Sequence, residues 1–506
     1  MHYMKKMLYS SLLLSILMSI LFWHREPGIS VVLFIVPTLL VIYFNLKQSQ
    51  KIKNKKGIYW CIPIILLSLT YFIFNNTLFQ GLNIPIILVL IIIMCMDMTE
   101  TQLSETRFIR NVVSKIFKPF SNFKKVLGTV KVKVKIKEEK QNEKIVFIKK
   151  LLKSLIIAIP LLLIVISLLS EADSVFENIF HEIPNYFSKL FSSVTAIDIF
   201  WRIIWIIFNF FYISGFILMF VNEEKKQETK IEKDKAQKIS TFTQNTILVS
   251  LNLIYLIFSI IQFKYLFINA GKTADFDYAQ YARTGFFQLM MVSLINFGIL
   301  KIGKVEQKEK LNTILKITMI VFTLVIIISA IFRMYLYEQA YGYTYLRLFV
   351  YFILATEILI LIPITMNLLG KNLNTFKISL EIIVTMYVIL NLINIDSIIA
   401  SKNINRYLKD MENKKLDVYY IMNSTGTDAI KEKIKILNQS PEGLSITAQA
   451  RLNDIKRETK IYLNGNKKYY QNKNMKWQEF NLSKNKAKEI LKYIDLTSNE
   501  VYEFNY

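Results

Sequence analysis

The stretch FRMYLYEQAYGYTYLRLF, Phe332–Phe349, decides how this chain folds. It is a short, tyrosine-rich break between two long apolar runs. Arg333 and Arg347 stand at the inner edges of those runs, with Glu338 and Gly342 between them. Gly342 permits a tight turn. Both arginines can snorkel toward water, and tyrosines suit the membrane–water boundary. The stretch reads as a turn joining two helices that cross a bilayer.

The rest of the chain repeats that design. Of its 506 residues, 53% are hydrophobic, and they gather in unbroken runs. Runs of about 17–23 residues span a hydrocarbon core at about 1.5 Å per residue. Eleven such segments lie near 7–23, 30–46, 58–75, 82–99, 151–169, 197–221, 246–268, 283–300, 313–332, 345–369 and 378–398. The expected fold is an all-α polytopic transmembrane bundle of about eleven helices. The N-terminal MHYMKKMLYSSLLLSILMSILFW has no small-residue cleavage site after it, so it reads as a retained first span.

The net charge of +25 reflects threading, not nucleic-acid binding. With the N-terminus inside, the cytoplasmic loops hold about 33 Lys and Arg and the outer loops about six, as the positive-inside rule requires. An odd number of spans then places the C-terminus outside. The expected blocks are 1–99 with four helices, a basic cytoplasmic loop at 100–150, a seven-helix core at 151–398, and an extracytoplasmic domain at 399–506. Within the basic loop, KVKVKIKEEK alternates with a period of two; it reads as a solvated linker, or as a segment at 107–150 lying on anionic lipid headgroups. The last block carries 20 Lys and Arg against 13 Asp and Glu and reads as a small α+β domain. Helical patterns cover 404–422, 426–438 and 483–494, the last with Ser483 as N-cap. LSITAQARL and TKIYLNGNKKYYQ read as strands with an Asn-Gly turn at 464–465.

Ionisable residues in or near spans mark candidate sites. Glu357 lies mid-span, Glu381 near the inner end of the last span, and Lys264 near the outer end of the seventh. Four polar clusters fall at outer edges: Glu171 and Asp173 with Glu177; Asp275, Asp277 and Arg283; Arg333, Glu338 and Arg347; and Asp396, Asn403, Asn405 and Arg406. Such a set can form hydrogen-bonded ion pairs. Together these groups outline a shared extracytoplasmic polar site or a structural network. Cys61 and Cys95 sit inside apolar runs as packing residues, and His2, His24 and His181 lack ligand spacing. No metal site and no cofactor are expected.

SEADSVF, YAQYARTGFFQL, FRMYLYEQAYGYTYLRLF, NINRYL and LDVYYIMNSTGTDAI carry a resemblance over roughly 150–440. The chain resembles the bacterial multi-pass membrane proteins of the domain-of-unknown-function family numbered 4173 and its relatives numbered 4153. The resemblance implies a membrane location and no reaction. The Ile-, Lys- and Asn-rich composition also fits a bacterial plasma membrane.

Three functions compete. The first is a non-enzymatic envelope protein that senses, scaffolds or regulates, with partners in the bilayer and an envelope protein or lipid-linked ligand outside. No phosphate loop, zinc motif or nucleophile triad opposes it. The second is a multi-span lipid-linked sugar transferase, for which the acidic pairs at 171–173 and 275–277 offer divalent-ion ligands. The third is a transporter, resting on Glu357 and Lys264.

Overall fold

The computed structural model describes residues 2–99, 108–131, 194–221, 240–264, 278–301 and 309–494. The expected span at 151–169 and the KVKVKIKEEK alternation beyond Lys131 lie outside them. The helices are α1 (His2–Phe22), α2 (Ile29–Gln48), α3 (Cys61–Ile73), α4 (Thr77–Thr99), α5 (Phe108–Ser121), α6 (Phe123–Lys131), α7 (Val194–Val221), α8 (Thr241–Gln262) and α9 (Tyr278–Lys301). Then come α10 (Lys310–Tyr341), α11 (Tyr345–Leu368), α12 (Thr375–Leu392), α13 (Ile395–Leu408), α14 (Val418–Ser424), α15 (Ile430–Ile434), α16 (Ile446–Asn472) and α17 (Leu482–Tyr493). The chain is an all-α membrane bundle, with no strand among the described residues.

Nine described helices are long and apolar enough to cross a membrane: Met4–Phe22, Ile29–Gln48, Lys55–Ile73, Thr77–Thr99, Asp198–Val221, Thr241–Gln262, Lys310–Tyr341, Tyr345–Leu368 and Thr375–Leu392. The expected segment at 283–300 is the shorter apolar helix Gly285–Leu300 within α9. The last span stops at Leu392, because Asn394 caps a new helix there, accepting from the Ser397 N–H at 3.0 Å.

The chain divides into two compact units. The first comprises Met1–Arg25, Pro37–Ile52 and Asn111–Glu223. Here α1 packs on α7. Ser11, Ser15 and Ser19 recur every four residues on the buried face of α1, and small side chains let helix backbones approach closely. Arg202 on α7 donates to Ser19 Oγ at 2.8 Å, and Trp23 Nε1 donates to Asp198 at 2.9 Å.

The second unit comprises Glu26–Val36, Lys53–Arg110 and Glu224–Tyr506. One core cluster joins α8 to α11 around Leu248, Met319, Ile327 and Leu354. A second joins α11 to α14 and α16 through Phe79, Ile399, Tyr407, Ile421 and Leu452. On α10 one buried stripe runs Asn312, Lys316, Met319, Thr323, Ile326, Ala330 and Arg333. Several of its polar members meet neighbouring helices: Asn312 donates to Gln244, Thr323 accepts from Asn296, and Arg333 donates to Gln262.

The C-terminal region departs from the expected α+β form. LSITAQARL, from Ile446 on, and TKIYLNGNKKYYQ belong to a single helix, α16, with Ser445 as its N-cap. Its buried residues are Ala448, Leu452, Ile455, Thr459, Leu463 and Tyr470, which is helical spacing. Short windows of β-branched residues imitate strands, but the stripe runs unbroken through both. Asn464 and Gly465 lie mid-helix. The helix expected over 404–422 is instead α13, a turn, and α14. At α17 the N-cap is Asn481, which accepts from the Lys484 N–H at 2.9 Å, and not Ser483.

This difference is testable at Gly465, where an added Cβ would meet nothing within 4 Å. Gly465→Ala should stabilise a helix by about 0.5–1 kcal/mol. An Asn-Gly hairpin turn would instead be destabilised. Thermal unfolding of the purified protein in detergent separates the two by the sign of the change.

Candidate functional site

The opening stretch becomes the end of α10, a turn at Gly342, and the start of α11. Thr344 caps α11 by accepting from the Arg347 N–H at 3.4 Å. Gly342 has φ +80, and its N–H closes α10 onto Glu338 O at 2.7 Å. Asn403 of α13 clamps the turn. Its amide accepts from the Tyr343 N–H and donates to the Tyr343 carbonyl, both at 2.8 Å. Arg406 donates to the Ala340 carbonyl at 2.5 Å. Arg347 donates to the Gly342 carbonyl and lies 4.2 Å from the Tyr337 ring centroid. The two arginines and Asn403 thus satisfy carbonyls that helix ends leave without partners.

Beside this strap lies a buried polar node. Asp396, 1% exposed, stands in the first turn of α13. One of its oxygens accepts from Asn76 Nδ2 at 2.8 Å and from the Tyr345 hydroxyl; the other accepts from the Gly426 N–H at 2.8 Å. Asn76 also caps α4, accepting from the Phe79 N–H. Its neighbour Asn75 donates its N–H to Asp428 and its side-chain amide to Thr427, each at 2.9 Å. Lys433 on α15 is fully buried and donates to the carbonyls of Met422 and Thr425. Its ammonium lies 4.0 Å from the Tyr462 ring centroid. Asn481 donates to Tyr71 O at 2.7 Å and Phe74 O at 2.8 Å, which ties α17 to the end of α3. Lys473 and Lys484 pair with Glu26, before α2.

Burial sets the electrostatics of the node. It pushes the Asp396 carboxyl up to about 7, despite the bonds from Gly426 and Asn76. Burial likewise raises Asp428 and lowers Lys433 to about 7. At Glu26 burial acts upward too, but hydrogen bonds from Lys473 and Lys484 outweigh it and hold the group at about 2.

The candidate residues therefore separate. Arg347, Asn403 and Arg406 meet at the Gly342 turn, and Glu338 lies one helical turn before it. Arg333 is nearby in sequence but packs toward α8 and α9, donating to Gln262 at 3.2 Å and lying against Gly285. Arg283 falls on α9, and only its place in that helix is described. Glu171, Asp173, Asp275 and Asp277 lie outside the described residues. Glu357 is buried mid-span, with one oxygen accepting from Ser293 Oγ at 2.6 Å. Its other oxygen has no hydrogen-bond partner among the described residues. Glu381 is exposed on α12, and Lys264 is exposed just past α8. Among the described residues, no group of three or more His, Cys, Asp or Glu is placed to hold a metal ion.

Sequence reasoning marked Asp396 but not its partners. Asn75–Asn76 immediately after a span, and NSTGTDAI at 423–430, were the available signals. Lys316 was also missed, because it follows a lysine-rich loop and reads as its continuation; the structure buries it in α10.

Two predictions follow from the strap and the node. A Cβ at Gly342 would stand 2.2 Å from Asn403 Oδ1, in a backbone conformation that L residues rarely adopt. Gly342→Ala should cost at least about 1–3 kcal/mol. Asn403→Ala in the same chain relieves the contact but not the backbone, so melting should not recover; full recovery would contradict the strap. For Asp396, the folded state keeps a proton that the unfolded state releases between about 3.8 and about 7. Its stabilising contribution is thus complete below that window and lost as pH rises through 7. Lys433 acts oppositely, losing its contribution as pH falls from 10.5 through about 7. Melting temperature against pH should fall between pH 4 and 7 in the native chain, and that fall should flatten in Asp396→Asn. An unchanged slope would contradict the node.

No curated protein and no solved structure matches the chain. A family model does, over residues 61–436. Those residues contain the Gly342 turn, Asp396, Asn403, Asp428 and Lys433, so the strap and the node lie inside the matched region. Of the two related families that the sequence resembles, the one numbered 4153 is the one that matches. The match covers well over half of the 506 residues, and the chain belongs to the family described as Domain of unknown function (DUF4153).

Proposed function

We propose that this is a non-enzymatic, multi-pass protein of a bacterial plasma membrane. Its C-terminal helices act as an extracytoplasmic receptor for an anionic envelope glycan. The N-terminus lies in the cytoplasm, as the lysine and arginine asymmetry of the loops supports. The amphipathic helix α5 rests on the inner membrane surface. Its exposed Ile109, Val113, Phe117 and Phe120, beside Arg110 and Lys118, suit an interface with anionic lipid.

One observation carries the receptor reading. A groove of about 420 Å³ opens between α16 and α17, lined by Asn472, Asn474, Lys476, Trp477, Asn485 and Lys488 among others. Trp477 is 59% exposed. Lys476 and Lys488 are exposed and, among the described residues, enter no ion pair. An indole face for a sugar ring, amides for hydroxyls and ammonium groups for phosphate or carboxylate make a coherent binding set. The node beneath would pass occupancy to the ends of α4, α11 and α13. This makes the role sensing or regulation.

A second reading, transport, draws on Glu357 and the polar stripe of α10, since a buried carboxyl with an unsatisfied oxygen is costly. The sugar-transferase reading gains no support from the described residues.

Co-sedimentation of the purified protein with cell-wall sacculi tests the receptor. The native chain should sediment, and less so at high salt. Trp477→Ala and the pair Lys476→Glu with Lys488→Glu should lose at least tenfold in bound fraction at unchanged melting temperature. Equal sedimentation of these surface variants would contradict the proposal. Proton flux into vesicles that Glu357→Gln abolishes would favour transport.

A further inference from the structure

A second groove, of about 460 Å³, runs along the outer face of α10. Ile328, Ile331, Phe332, Tyr335 and Glu338 line it from one helix face, and Tyr343 and Tyr351 close its side. From Ile328 to Glu338 the face covers about 15 Å of helix rise. Its chemistry changes along that length. Aliphatic groups lie within the span, aromatic rings follow, and a carboxylate stands at the end by the Gly342 turn.

Glu338 is the unusual member. It is 4% exposed, and the Tyr343 and Tyr351 hydroxyls stand beside its side chain. Among the described residues, no lysine or arginine reaches it within ion-pair distance. Arg347 and Arg406 are nearby in sequence or space, but each turns to a backbone carbonyl, of Gly342 and Ala340 respectively. A carboxylate taken out of water among neutral neighbours gains greatly from a cation. Tyrosine and phenylalanine rings around it offer cation–π faces. Ile328 and Tyr335, both 49% exposed, leave the apolar end open to lipid.

We propose that this groove binds a lipid bearing a primary ammonium headgroup. The ammonium sits between Glu338 and the rings of Tyr335, Tyr343 and Tyr351. The acyl chain follows Phe332, Ile331 and Ile328 into the bilayer. The assignment concerns a different groove from the glycan receptor and does not depend on which side of the membrane it faces. The carboxylate selects against anionic headgroups, and the aliphatic stretch selects against small soluble amines.

Isothermal titration of the full chain in neutral maltoside detergent tests this, with decylammonium, decanol, decyl phosphate and ethylammonium as probes. Decylammonium should bind at least tenfold tighter than each of the other three. Glu338→Gln keeps the shape and the tyrosine contacts, and should weaken decylammonium at least tenfold while leaving decanol unchanged. Tyr335→Ala, at a half-exposed position, should weaken it severalfold and provides a second reading if Glu338→Gln fails to fold. Equal binding of decanol, or no loss in either variant, would overturn the site. Ethylammonium binding as tightly as decylammonium would overturn the lipid assignment.

Discussion

The second unit depends on one buried carboxylate. Asp396 begins α13 directly after the last span, and its two oxygens face opposite ways. One meets Asn76 and Tyr345 at the ends of α4 and α11; the other meets the Gly426 backbone at the start of the C-terminal helices. Removing a carboxylate from water is costly unless its lone pairs are met. Each of those partners must therefore be in place at once. Gly426 is required at its position, because a Cβ there would stand 2.7 Å from Asn75 O and 2.9 Å from Asp396 Oδ2. The node is a seat that accepts only one arrangement of helix ends.

Around the seat, helix ends are satisfied by side chains that come from far along the chain. Asn403 and Arg406 complete the Gly342 turn, and Asn481 completes the end of α3 while capping α17. The opposite ends of the helices in this unit are closed differently. There Lys377 pairs with buried Asp97, which also accepts from Trp60 and Asn54. In a bilayer the unpaired backbone groups at helix ends have few alternatives, and at these ends dedicated polar residues close them.

The membrane class was legible from the sequence because its signal is local. A run such as IIVTMYVIL declares a span without reference to anything distant. The Gly342 turn was legible for the same reason. The node was not, since Asn76 meets Asp396, and Asn75 meets Asp428, only across more than three hundred residues of chain. The strand readings in the C-terminal region fail because alternation over a few residues imitates a strand, while the longer 448–470 stripe has helical spacing. Arg333 stands near Arg347 in the chain, yet eight residues of helix separate it from the turn and it reaches Gln262 instead. The aromatic groove at Glu338 was half legible: its residues stood in the opening stretch, but their common face required α10 to extend unbroken to Tyr341.

The central claim is that the node and the C-terminal helices lie on the extracytoplasmic side. Single cysteines at Ser424 and Ser121, both exposed, test it in a Cys61→Ala/Cys95→Ala chain labelled in intact cells with an impermeant thiol reagent. The account predicts labelling at 424, and at 121 only after permeabilisation. Labelling at 121 with protection at 424 would contradict it and place the receptor groove in the cytoplasm.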